Sequence, residues 1–203
     1  PRDSFGRARL VVPRVGVLAL QGDVREHEAA LTSLGVEVTR VRTPAQLDEV
    51  DALVMPGGES TAIAHLLVSS GLRAAIGDRL EEGLPIFGTC AGLILVSREV
   101  LDGRVDQWSF EALDVSVRRN GYGRQIASFE TELQVEGVGG VHGVFIRAPK
   151  IEKVDDDVEV LASHDHGDGP HPVLVRQDNV WGCSFHPELT SDTRVQRLFV
   201  ESI

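Results

Sequence analysis

The sequence predicts an α/β protein: a mostly parallel central sheet, helices on both faces, and antiparallel additions in the second half. Three observations predict it. Short apolar runs alternate with helical patterns through the first half, as a parallel sheet covered on both faces requires. Three of those runs end in glycine-bearing loops, at Gln21-Gly22, 56–60 and 88–92. The second half changes to successive strand-like runs separated by turns.

Residues 15–20 form the first apolar run and end at Gln21-Gly22-Asp23. A helical pattern covers 24–34 and is closed by Gly35, a good C-terminal cap. Residues 36–41 read as a strand. Thr43-Pro44 then opens a short helix, with Thr as cap and Pro at the first helical position. Residues 52–55 are a buried strand running into Pro56-Gly57-Gly58. Helices follow over 60–67 and 72–80, a strand over 84–87, and a helix over 93–96. Later strands are expected over 113–117, 131–135, 143–146, 158–161, 172–176 and 180–184, with a closing helix over 191–200. Residues 1–13 read as a flexible extension and 14–203 as one domain.

Composition narrows the function classes. Across 203 residues, 31 Asp and Glu against 20 Lys and Arg leave a net charge of −11. That balance disfavours nucleic acid and anionic membrane as partners. The longest charge-free stretch, 83–97, is broken by Pro85 and three glycines, so it does not read as a membrane span. The apolar piece Leu10-Val11-Val12, set among arginines, is too short for a signal-peptide core. A cytoplasmic protein is expected. Cys90 and Cys183 are too few for a disulfide framework and read as free thiols.

Cys90 lies in Gly88-Thr89-Cys90-Ala91-Gly92, between a buried strand and a helix. That is the form of a nucleophile elbow. A tight turn exposes the thiol, the helix N-terminus favours thiolate, and the Ala91 N–H can donate to an oxyanion. Pro56-Gly57-Gly58-Glu59-Ser60-Thr61 can supply a second oxyanion donor and, in Glu59, a partner for a substrate ammonium. Read alone it is better taken as a plain turn capped by Ser60 or Thr61. Ser184-Phe185-His186-Pro187-Glu188-Leu189 offers an imidazole base with a carboxylate two residues on. Cys183, inside a strand, reads as a small buried hydrophobe.

On these strings the chain resembles the class I, triad-type glutamine amidotransferases. Within them it resembles the glutaminase subunit of two-subunit pyridoxal 5′-phosphate synthase. The closer match rests on 16–22, Val24-Arg25-Glu26-His27, Arg119-Asn120-Gly121-Tyr122-Gly123-Arg124-Gln125, Phe145-Ile146-Arg147-Ala148-Pro149 and the strings above. The resemblance implies a flavodoxin-like fold and hydrolysis of L-glutamine. It implies a triad of Cys90, His186 and Glu188, and an oxyanion hole at Gly58 and Ala91. It places glutamine against Gly57, Gly58, Glu59, Arg119, Ile146 and Arg147. It implies a (β/α)₈-barrel synthase partner, with Gln21 as a sensor of docking, and no cofactor or metal in this chain.

Some features depart from the family. Asp23 stands where a small residue is more usual, and Tyr122 where Phe is common. Residues 164–171 are rich in His and Asp; a solvated loop is the expectation there, with a metal site as the competing reading. Alternatives to the main assignment are an amidotransferase of another pathway, such as imidazole glycerol phosphate synthesis, a cysteine peptidase or stress protein on a similar fold, and a non-catalytic regulatory subunit.

Overall fold

The computed structural model describes residues 12–103, 107–122 and 128–203. All but the last two positions of the expected N-terminal extension, and the Gly123-Arg124-Gln125 end of one motif, lie outside the described residues. The first half alternates as its pattern dictates: β1 (Arg14–Leu18), α1 (Val24–Ser33), β2 (Glu37–Val41), α2 (Pro44–Leu47), β3 (Ala52–Met55), α3 (Ser60–Ser69), α4 (Leu72–Glu81), β4 (Ile86–Thr89) and α5 (Ala91–Val96). Then come β5 (Ser97–Val100), β6 (Leu113–Arg118), β7 (Ser128–Val135), β8 (Gly139–Ile146), β9 (Lys150–Val154), β10 (Glu159–Asp165), β11 (Pro170–Gln177) and β12 (Val180–Cys183). A 3₁₀ turn at Pro187–Leu189 and α6 (Arg194–Glu201) close the chain.

The seven-stranded sheet has the order β10-β11-β12-β4-β3-β1-β2. Read from the other edge, β2-β1-β3-β4-β12 run parallel in the flavodoxin-like order, with a switch point between β1 and β3. β10 and β11 extend the sheet antiparallel. Two smaller sheets, β5-β6-β9 and β7-β8, branch from the second half.

The second half departs from expectation in two ways. β12 does not join as an antiparallel addition alone; it pairs parallel with β4 and is buried at all four positions. β5 and β9 are strands without a strand-like pattern, because Ser97-Arg98-Glu99-Val100 and Lys150-Ile151-Glu152-Lys153-Val154 are largely polar. Pairing with β6 on either side makes them strands.

Side-chain alternation divides the core into two layers. Val15 and Val17 of β1, Val54 of β3, Phe87 of β4 and Trp181 of β12 face one side, with Leu31 of α1 and Val195 and Phe199 of α6. Leu18, Leu53, Met55 and Ile86 face the other, with Ile63, Leu67, Leu72, Ile76 and Leu93 of α3, α4 and α5. This period of two is the pleat of a strand. Among the described residues no helix is long and apolar enough to cross a membrane.

Helix α5 presses so closely on β3 that one position admits only hydrogen. A Cβ on Gly92 would stand 2.0 Å from the Met55 carbonyl oxygen. Gly92→Ala is therefore expected to cost about 2 kcal/mol or more, since backbone must move to relieve the overlap. Urea unfolding checks this: the midpoint should fall at unchanged slope.

Candidate active site

The loops after β1, β3, β4 and β12 meet at the carboxyl edge of the sheet, where ligands bind in open α/β folds. Contacts join them. Gln21 Oε1 accepts a hydrogen bond from the Glu59 N–H at 2.9 Å. A Cβ on Gly57 would lie 2.6 Å from His186 Cε1 and 2.9 Å from Asp23 Oδ2, so the Gly57 loop rests on the imidazole.

Cys90 sits between β4 and α5 with φ 50° and ψ −103°, a conformation L-residues rarely adopt. It is held there because its N–H donates to the Cys183 carbonyl at 2.8 Å, tying the elbow to β12. Its Sγ stands 4.0 Å from the Ile146 carbonyl. Ala91 opens α5, where the helix itself offers its N–H no acceptor.

His186 is placed by its N–H, which donates to Val144 O at 2.8 Å. Its Nδ1–H donates to Glu188 Oε1 at 2.8 Å, and the ring interacts electrostatically with Cys90. Nδ1 being taken, Nε2 is the ring nitrogen left for the thiol. Burial opposes the imidazolium, but the interactions with Cys90 and Glu188 outweigh it and push His186 up to about 10. Burial also opposes charge on Glu188, yet its contacts with His27 and the hydrogen bond from His186 hold it below the usual carboxylate range. Asp23 Oδ2 lies 3.5 Å from the same Nδ1.

A cavity of about 320 Å³ opens over the thiol, lined by Gly58, Glu59, Ser60, Cys90, Ile94, Arg119, Asn120 and Arg147. Glu59, rather than Ser60 or Thr61, caps α3: its carboxylate accepts from the Thr61 and Ala62 N–H groups at 3.1 and 2.7 Å. Arg119 Nη2 donates to Glu59 Oε1 at 3.0 Å. These N–H groups and Arg119 outweigh burial and keep Glu59 below the usual carboxylate range. Arg147 takes a left-handed φ of 45° at the cavity wall. Ile146 is near the thiol through its carbonyl; its exposed side chain instead borders another hollow, with Phe129 and Phe145. A larger cavity of about 550 Å³, lined in part by Leu84, Glu111, Asp178 and Val180, lies at the opposite edge of the sheet and carries neither thiol nor imidazole.

Cys183 is buried, its thiol donating to Phe185 O at 3.2 Å, and burial pushes it well up. That is a packed thiol. His164 stacks against Phe129, His166 meets the same ring edge-on, and Asp168 pairs with Lys150 and His171. The segment 164–171 closes the β10–β11 hairpin, with 166–169 a largely exposed turn between the two strands, as the sequence predicts. Among the described residues, only Asp23, His186 and Glu188 bring three donor atoms within 4.8 Å of one another. A hydrogen bond already joins two of them, and we assign no metal there.

The sequence motifs give His27 no role of its own. It sits fully buried beside Glu188, on the α1 face that also buries Ala30 and Leu31. A histidine at that helical spacing on an apolar face is the signal that could have found it.

A thiol on a strained elbow, backed by an imidazole and a carboxylate from the neighbouring strand end, is the architecture of a triad-type amidotransferase. The chain belongs to the SNO glutamine amidotransferase family, whose model matches residues 17–203. It is 53% identical over 192 residues to the pyridoxal 5′-phosphate synthase subunit PdxT of Mycobacteroides abscessus, covering 94% of this chain and 97% of that one. It is 54% identical over 193 residues to the PdxT of a Parafrankia species, covering 94% and 93%. A crystal structure of a glutamine amidotransferase, 50% identical, matches with a TM-score of 0.86 over 93% of this chain and 97% of that one. A putative GMP synthase protein of Thermoplasma acidophilum, 18% identical with a TM-score of 0.68 over 96% and 95% of the two chains, shares the fold.

Proposed function

We propose that this chain hydrolyses L-glutamine to L-glutamate and ammonia, and delivers the ammonia to a barrel-type synthase subunit that makes pyridoxal 5′-phosphate. The observation carrying it is Cys90 under a cavity of about 320 Å³, coupled electrostatically to an imidazole that Glu188 orients.

Cys90 Sγ attacks the side-chain carboxamide carbon. The N–H groups at Gly58 and Ala91 hold the tetrahedral oxyanion, a role in which one donor is worth about 10²–10³ in rate. The carbon–nitrogen bond breaks as His186 gives its proton to the leaving ammonia. Water then attacks the thioester, His186 takes its proton, and glutamate leaves with the thiol restored. Glu188 keeps the imidazole in the working tautomer.

Glutamine's α-carboxylate is assigned to Arg119 and Arg147, and its α-ammonium to Glu59, with Gly57, Gly58 and Ile146 completing the contacts. The ion pair between Arg119 and Glu59 has both signs of charge ready for an amino acid. Gln21, whose Oε1 holds the Gly58–Glu59 peptide, is assigned as the link by which partner docking turns that peptide. Residues 14–203 act as one domain in the cytoplasm.

Glutamate release, measured with and without the synthase subunit, tests this reading. Strong stimulation by that subunit is expected. Glutaminase activity indifferent to it would reject the pathway, and none in either state would reject the reaction.

A further inference from the structure

The hydrogen bond to His186 uses one oxygen of Glu188. The other, Oε2, is fully buried and has no partner at hydrogen-bond distance. Leaving a carboxylate oxygen so is costly. The polar atom facing it is His27 Nε2, at 3.5 Å. The same Nε2 lies 3.0 Å from the hydroxyl oxygen of Thr89, the residue before the nucleophile.

The protonation of His27 follows from this placement. Were Nε2 bare, its lone pair would point at a carboxylate, and the proton on Nδ1 would be a buried donor without an acceptor. With the proton on Nε2, the N–H can donate to Thr89 Oγ1 at 3.0 Å with Glu188 Oε2 3.5 Å from the same nitrogen, and Nδ1 is left as an unpartnered acceptor, the lesser cost. Burial, the largest influence, holds His27 below the ordinary histidine range, so the ring is neutral.

We infer that His27 is a positioning residue of the reaction: its neutral Nε2–H holds the far oxygen of Glu188 so that Oε1 stays on His186. The chain of contacts then closes on itself. It runs from Cys90 through His186, Glu188 and His27 to Thr89, which is bonded to Cys90 in sequence. The elbow and the carboxylate are thereby fixed to each other through α1. Other titratable groups facing this pair are Asp23 and Glu26 from the start of α1 and Cys183 from β12. The inference rests on the glutaminase reading for its kinetic consequence alone.

Two substitutions separate a donor at this place from mere bulk. The amide nitrogen of a glutamine side chain falls near the position of Nε2, and that of an asparagine near Nδ1. His27→Gln therefore keeps a donor toward Glu188, and His27→Asn withdraws it. Histidine ¹⁵N NMR on the full chain reads the result without substrate. In the wild type, His27 should show the Nε2–H tautomer and remain neutral. In His27→Asn the His186 titration should move to lower pH, because Glu188 is free to turn away; in His27→Gln it should stay near the wild-type position. Glutamine turnover should follow, with kcat about 10–100-fold down in His27→Asn and KM unchanged, the usual scale for losing a supporting contact. A wild-type His27 that is cationic or carries its proton on Nδ1 overturns the inference, whether or not the variants fold. So does a His186 titration unmoved in folded His27→Asn. A wild type without glutaminase activity would reject the proposed function and leave the NMR result standing.

Discussion

Cys90→Ala is expected to abolish glutamate release while the protein still folds. Without the thiol no thioester forms, and only the oxyanion donors and substrate positioning remain. Loss of a nucleophile from such a unit costs about 10⁶ in kcat. The fold should survive because the elbow is held by the backbone bond from Cys90 N to Cys183 O, which the substitution leaves in place, and the Sγ contact to Ile146 O is long, at 4.0 Å. A companion variant tests the strain. At φ 50° and ψ −103°, alanine keeps the penalty that cysteine pays, whereas glycine escapes it. Cys90→Gly should be equally inactive yet more stable than Cys90→Ala by about 1 kcal/mol or more. Glutamate release and urea unfolding on both proteins check this. Residual turnover above one part in about a thousand would remove Cys90 from the chemistry. A glycine variant less stable than the alanine one would show that no strain is stored at the elbow.

What the chain displays in sequence is its local chemistry. β3 is legible to the residue because Ala52–Met55 is a wholly apolar run between Asp51 and Pro56. The elbow is legible because Gly88 and Gly92 flank Cys90 at the junction of a strand and a helix. His186 and Glu188 are legible because they lie two residues apart. What is hidden depends on pairing across the chain. β5 and β9 carry too many charged residues to read as strands, and become so only against β6. The parallel place of β12 beside β4 has no local signature, since the hairpin that precedes it is antiparallel. Asp23 is visible in sequence as a departure from the family, but its 3.5 Å approach to His186 is not. Glu59 reads as a group waiting for an ammonium; in the structure it also caps α3 and pairs with Arg119. A motif tells which groups are available, and the fold tells what else they are already holding.

Glu188→Gln should lower kcat by about 10³–10⁴ with little change in KM, the scale seen when the orienting carboxylate of a triad becomes an amide. Glu188 is buried behind His186 and does not line the cavity, so glutamine binding is spared. Its charge is what the reaction loses. His186 is pushed up to about 10 because its interactions with Cys90 and Glu188 outweigh burial. Turnover needs a protonated His186 to release ammonia, so the wild-type rate should hold up to alkaline pH and fall as the imidazolium is lost. Removing the carboxylate charge leaves burial less opposed, and burial favours the neutral ring. The alkaline limb of kcat/KM must therefore move to lower pH in Glu188→Gln. The sign separates two explanations that the rate alone does not. A variant that merely misfolds in part would lower the whole profile and leave the limb in place. A shifted limb, with Tm retained, identifies Glu188 as the group that keeps the proton on His186.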